Sequence, residues 1–125
     1  MKRLLLILLV SLLFAALLSS CVSTEEKKER HYSNALDYIE QEDNQAAIIE
    51  LRNAIKLDAT YSEARYQLGL LYLKEGDARA AFSELVRTAD LDPDNLDASL
   101  KVAEFHLIGR NTEECRKYVV KILSK

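Results

Sequence analysis

Few side chains in this sequence could do covalent chemistry, and they do not converge. Cys21 and Cys115 are its two thiols, and a thiolate is the most reactive nucleophile that ordinary side chains offer. Cys21 stands directly after Leu18, Ser19 and Ser20, at the end of an apolar run. His31 and His106 have no cysteine or carboxylate beside them at the spacing of a metal site, and no glycine-rich phosphate loop is present. The pairs Glu25-Glu26 and Glu113-Glu114 read as solvated helix starts, favoured by the positive end of the helix dipole. With no convergent constellation, the expected protein is not an enzyme, has no catalytic residue and holds no metal.

The surroundings of Cys21 give it a purpose. Lys2 and Arg3 supply a positive start, and Leu4 to Leu18 is an apolar run broken only by Ser11. As a helix that run spans about 22 Å, short of the roughly 30 Å hydrocarbon layer. A cleaved export signal over residues 1–20 fits better than a permanent span. Leu18-Ser19-Ser20-Cys21 resembles the lipobox of bacterial lipoproteins, a branched aliphatic residue, two small residues and the cysteine. Small residues let an extended segment enter a peptidase, and the thiol is ready to attack a lipid donor. The resemblance implies a diacylglycerol on Cys21, cleavage just before it and acylation of the new amino group. It implies no other cofactor. An uncleaved anchor, or an ordinary signal cut elsewhere, would equally leave the remainder outside the cytoplasm.

Taking Lys2 and Arg3 from the 17 basic residues leaves 15 against 20 acidic ones, a net charge of −5 after cleavage. An acidic body argues against nucleic acid and against a polybasic hold on anionic lipid. Attachment would come from acyl chains, at about 0.8 kcal/mol per buried methylene. Cys115 is then unpaired and is expected as a small buried apolar residue.

The remaining chain repeats itself at a period of 34: Ala35, Gly69 and Ala103 share one line, Ala47, Ala81 and Cys115 a second, Leu51, Leu85 and Val119 a third. A period of that length marks a supersecondary unit that cannot bury its own apolar face alone. Residues 21–27 read as the lipidated cysteine and a short charged linker, with Ser23 and Glu26 spaced as a capping box that could start the first helix almost at the anchor. Apolar spacing of three and four predicts a helix through Tyr32 and Ile39 and a second over about 45–57. Thr60 and Glu63 form a further capping box before a helix over roughly 61–75, and Gly76-Asp77 reads as a left-handed stop and a new N-cap. A fourth helix reaches about Leu91, the break at Asp92 to Asn95 precedes a fifth over 96–108, and Asn111 with Glu114 caps a sixth that runs to Leu123. No segment has strand periodicity.

These lines resemble the tetratricopeptide repeat, a helix-turn-helix unit with small residues at positions 8 and 20, a large residue near 11 and proline near 32. The copy at 62–95 matches best: Gly69, Tyr72, Ala81 and Pro93 hold those places. The copy at 28–61 keeps Ala35, Tyr38, Ala47, Leu51 and Ala54 but has Asn34 at position 7 and Ala59 for the proline. The copy at 96–125, truncated, keeps Ala103 and places Cys115 on the second small line. The resemblance implies an all-α, right-handed superhelical solenoid of about three hairpins after an N-terminal signal helix.

It also implies a concave groove lined by the first helix of each pair. The corresponding residues are Tyr32, Leu36 and Ile39 in the first copy, Tyr66, Gln67, Leu70, Leu73 and Lys74 in the second, and Leu100, Lys101 and Leu107 in the third. The set is largely apolar and lacks the Lys, Arg and Asn pattern with which members of this group grip terminal carboxylates. Such a groove suits an amphipathic helix or an extended apolar segment of another protein. The last helix carries Val119, Val120, Ile122 and Leu123 with no polar cap beyond, which suggests self-association or a shortened copy of a longer repeat protein.

The expectation is a non-catalytic, lipid-anchored interaction module, an assembly or tethering factor in a bacterial envelope, of the kind serving secretion, pilus or exopolysaccharide export. Its alternative is a self-associating structural lipoprotein. Val22 after the cysteine, rather than Asp, resembles signals that let a lipoprotein proceed to the outer membrane, facing the periplasm.

Overall fold

In the computed structural model, which describes residues 23–125, six α-helices follow one another: α1 (Thr24–Glu40), α2 (Asn44–Leu57), α3 (Ser62–Lys74), α4 (Ala78–Leu91), α5 (Leu96–Ile108) and α6 (Thr112–Leu123). The signal segment, the lipobox and Cys21 lie outside the described residues. No strand occurs among those described, and none of their helices is long and apolar enough to cross a membrane.

Side-chain caps start five of the helices. Oxygens of Ser23, Asp43, Asp77, Asn95 and Asn111 accept from the backbone N–H of Glu26, Ala46, Ala80, Ala98 and Glu114, each satisfying a donor that the helix itself cannot. The Ser23 cap puts Thr24 to Lys27 in the first turn of α1, so most of the expected linker is helix. The Thr60 capping box does not form. Thr60 gives its backbone N–H and its hydroxyl to Asp58 Oδ1, at 2.8 and 2.7 Å, and Tyr61 becomes an N-cap with no side-chain bond.

Three turns at the same place in the repeat close the hairpins. Glu42, Gly76 and Arg110 all have positive φ, at 61°, 81° and 57°. Only the glycine adopts that region freely.

α1 pairs with α2, α3 with α4 and α5 with α6, while α3 also packs on α2 and α5 on α4. The core lies in those seams. Leu51, Ala54, Ala64 and Leu68 belong to the cluster between the first two hairpins, and Leu85, Ala89, Ala98 and Val102 to the cluster between the second and third. Leu51 and Leu85 are fully buried, each stabilising the fold by roughly 2 kcal/mol relative to an exposed leucine. Ala35, Ala47, Ala54, Gly69, Ala81 and Ala103 are buried at the close approaches, and Tyr72 is half-buried against the first cluster. Pro93 is exposed in the turn between α4 and α5, where it shapes the backbone without packing.

Cys115 corrects an expectation. It is half-buried, whereas Ala47 and Ala81 at the same repeat position are fully buried. The difference is positional: those alanines lie in α2 and α4, each of which has a following hairpin packed on it among the described residues, and α6 does not.

Polar clasps tie the seams. Lys28 Nζ is 2.7 Å from Glu25 and 3.1 Å from Asp58, and lies over the Tyr61 ring at 4.5 Å. Its bond to Glu25 and then that to Asp58 hold its pKa above the usual lysine value despite opposing desolvation. Arg65, also buried, donates to Glu84 at 2.6 Å and to the Ala59 carbonyl at 2.9 Å.

Candidate protein-binding groove

α1, α3 and α5 are the first helices of successive hairpins, and the residues expected to line a groove divide into two groups. One group holds the helices together. Tyr32 stacks obliquely on Tyr61, centroids 5.1 Å apart, and is half-buried against the first core cluster with Ile39. Tyr66, at the equivalent place one repeat on, packs beside the second cluster and donates its hydroxyl to the Asp97 carboxylate. Burial first, and then the Asp97 bond, pushes the Tyr66 phenol up to about 12. Burial, followed by the charges of Glu63 and Glu29, raises that of Tyr32 as well. A tyrosine held this way bridges neighbouring first helices, a role that groove position alone could not distinguish from ligand contact.

Lys74 sits at the hairpin-turn end, where it donates to Asn44 Oδ1 at 3.1 Å. Asn44 and Gln45 in turn donate to Glu75, at 2.7 and 3.2 Å. Leu36, Gln67 and Leu70 are half-buried.

The second group is open. Leu73 is exposed at the end of α3, and Leu100 and Leu107 are exposed on α5 together with Ile108, the most exposed of them at 81 %. A mainly apolar cleft of about 210 Å³ is lined by Leu73, Ala78, Lys101, Glu104, Phe105 and Ile108, whereas Leu100 and Leu107 are exposed on α5 outside its lining. Lys101 Nζ stands 3.6 Å from Asp97, one helical turn away. Ala78 and Phe105 escaped the sequence reading: the first belongs to the second helix of its hairpin, and the second is a core position whose ring packs edge-on to Phe82 at 5.4 Å. The exposed apolar surface therefore gathers at the α3–α5 side of the face.

The histidines are occupied structurally. His31 Nδ1 lies 2.6 Å from Glu50 of α2. His106 stacks on Tyr118 and meets Phe82 edge-on, at 5.8 and 5.3 Å between centroids. Among the described residues no group of His, Cys, Asp or Glu is placed to hold a metal ion.

The sequence model of the TPR repeat family matches residues 31–76, which run from α1 to the turn after α3. The fold is a tetratricopeptide-type helical solenoid. Superposed on the crystal structure of MamA, it gives a TM-score of 0.70 at 28 % identity, over 78 % of this chain and 57 % of that one. It is also similar to YrrB, described as a TPR protein with an unusual peptide-binding site, with a TM-score of 0.64 and 23 % identity over 79 % of this chain and 51 % of the other. A third similar structure is SycD, the type III secretion translocator chaperone of Yersinia enterocolitica, with a TM-score of 0.64 and 19 % identity over 81 % of this chain and 75 % of the other. This chain spans just over half the length of the MamA chain. No curated protein matches it in sequence.

Proposed function

We propose that this solenoid is a non-catalytic, lipid-anchored module that binds an apolar segment of another envelope protein and acts in assembly or tethering. The observation that carries the reading is the exposed apolar set on the first helices, Leu73 and Ile108 lining a cleft and Leu100 and Leu107 exposed on the same α5. Apolar surface gathered in this way suits an amphipathic helix or an extended apolar strand, with Lys101 and Glu104 at its edge to set orientation. YrrB and SycD lend support through their descriptions as a peptide-binding and a chaperone protein on the same fold. The anchor is a diacylglycerol on Cys21, facing the periplasm from the outer membrane, and the supporting observation is Leu18-Ser19-Ser20-Cys21 after an apolar run.

Both halves can be tested in cells expressing the full chain. A photo-crosslinking residue at Leu107 should capture a partner, and Leu100→Glu should abolish that capture while circular dichroism keeps its helical signal. Capture that persists with Leu100→Glu rejects the groove. Labelled palmitate should enter the wild type and not Cys21→Ala; equal labelling of both rejects the lipid.

A further inference from the structure

The cleft between the second and third hairpins is walled by α3, the first residue of α4 and α5, all inner elements of the described chain. Its volume of about 210 Å³ sets the size of what it can hold. An apolar cavity of about 150 Å³ takes up one benzene molecule, so this cleft seats a single large side chain, a phenylalanine or a leucine, and not the body of a helix. Leu73, Ala78, Phe105 and Ile108 supply the apolar walls.

Charge decides what must flank that side chain. Two ionised groups stand on the walls, Lys101 and Glu104. Lys101 is engaged: its ammonium lies 3.6 Å from Asp97, whose carboxylate also accepts from the Tyr66 hydroxyl. Glu104 is exposed, and among the described residues no cation pairs with it and no side chain donates to it. Were Lys101 to turn from Asp97 to Glu104, three residues on, it would leave Asp97 without its cation instead. Two carboxylates therefore share one ammonium along this side of α5. Arg79 and Arg110, the nearest cations in sequence, are exposed outside the lining. The place of Asp97 is also acidic in the two earlier hairpins, as Glu63 and Glu29, so the face keeps its negative sign beyond the cleft.

We infer, resting on the binding face proposed above, that the segment it takes is cationic: one large apolar side chain enters the cleft, and a lysine or arginine three or four residues from it meets Glu104. That spacing puts the two side chains on one side of a helical partner, about 5 to 6 Å apart. An acidic segment, or one held chiefly by a terminal carboxylate, would face unmatched negative charge.

The test uses the full chain in a neutral detergent and two dye-labelled amphipathic peptides. The first has lysines three and four residues from a central phenylalanine; the second is identical but for glutamates in place of the lysines. Fluorescence anisotropy should show the lysine peptide bound about tenfold more tightly, a preference that shrinks as salt is added. Glu104→Lys should reverse the order of the two peptides. Ile108→Ser, which opens an apolar wall without changing charge, should weaken both about fivefold. Both positions are exposed, and circular dichroism should show the helices retained. Equal binding of the two peptides, tighter binding of the glutamate peptide, or a lysine preference that survives Glu104→Lys would overturn the cationic partner, while weakening of both by Ile108→Ser would leave the binding face standing. If neither peptide binds but a partner is still captured at Leu107, the cationic segment alone is rejected; if neither binds and nothing is captured, the binding face falls with it.

Discussion

Gly69 packs directly on Leu85: a β-carbon at 69 would lie 2.9 Å from Leu85 Cγ and 3.0 Å from its Cδ2, closer than unstrained atoms stand. Leu85 is fully buried, so it cannot swing aside into solvent. Alanine would gain about 1 kcal/mol of helix propensity, yet overpacking of this kind costs roughly 1 to 3 kcal/mol. Gly69→Ala is expected to destabilise by about 1 kcal/mol, and Gly69→Val by more. Urea unfolding of both variants checks this, and a more stable alanine variant would mean that the two helices do not approach so closely.

The left-handed line of Glu42, Gly76 and Arg110 makes an opposite prediction. A non-glycine residue in that region carries strain of about 1 kcal/mol or more, and Glu42 and Arg110 are both exposed. Glu42→Gly should therefore raise stability by about 0.5 to 1 kcal/mol after the entropic loss in the unfolded chain. Gly76→Ala should lower it by about 1 kcal/mol, although a β-carbon there would touch nothing within 4 Å. Melting temperatures that move the same way in both variants would refute the backbone account.

Legibility followed the source of each signal. The helices, their small close-approach residues and the caps at Ser23, Asp77 and Asn111 were readable, because each depends on residue type at a fixed local spacing. The strain at Glu42 and Arg110 was hidden, since neither residue type favours positive φ and only register with Gly76 imposes it. Tyr32 and Tyr66 sat at groove positions, but their ties to Tyr61 and Asp97 reach across to the next helix or the turn before it. Phe105 and Ala78 entered the cleft for the same reason: a pocket between hairpins belongs to no single helix face.

Arg65 and Glu84 form a nearly enclosed pair between α3 and α4, their side chains 5 % and 20 % exposed. Removing one partner of a buried pair strands the other charge, at a cost of up to 3 to 5 kcal/mol. Glu84 keeps some contact with water, and Arg65→Ala is expected to cost about 2 kcal/mol on that scale. Arg65→Met retains the packing of the stem and should cost less. Denaturant midpoints decide: if the two variants lose equal stability, packing is not what separates them.

Asp58 links α2 to α1, and its carboxyl is lowered to about 2, first by the Thr60 hydroxyl, next by the Thr60 backbone N–H, then by Lys28. A carboxylate whose folded pKa lies below its unfolded value near 4 stabilises the fold fully above that value. The contribution is lost as pH falls from about 4 through about 2. Asp58→Asn should therefore lower the melting temperature at pH 7, and the gap to the wild type should close as pH drops across that window. Asp94 and Glu114, lowered chiefly by Lys125 and Lys117 respectively, keep some acid sensitivity in the variant. A gap that stays constant down to about pH 2 would show that the asparagine disturbs the turn itself, with the carboxylate charge contributing nothing.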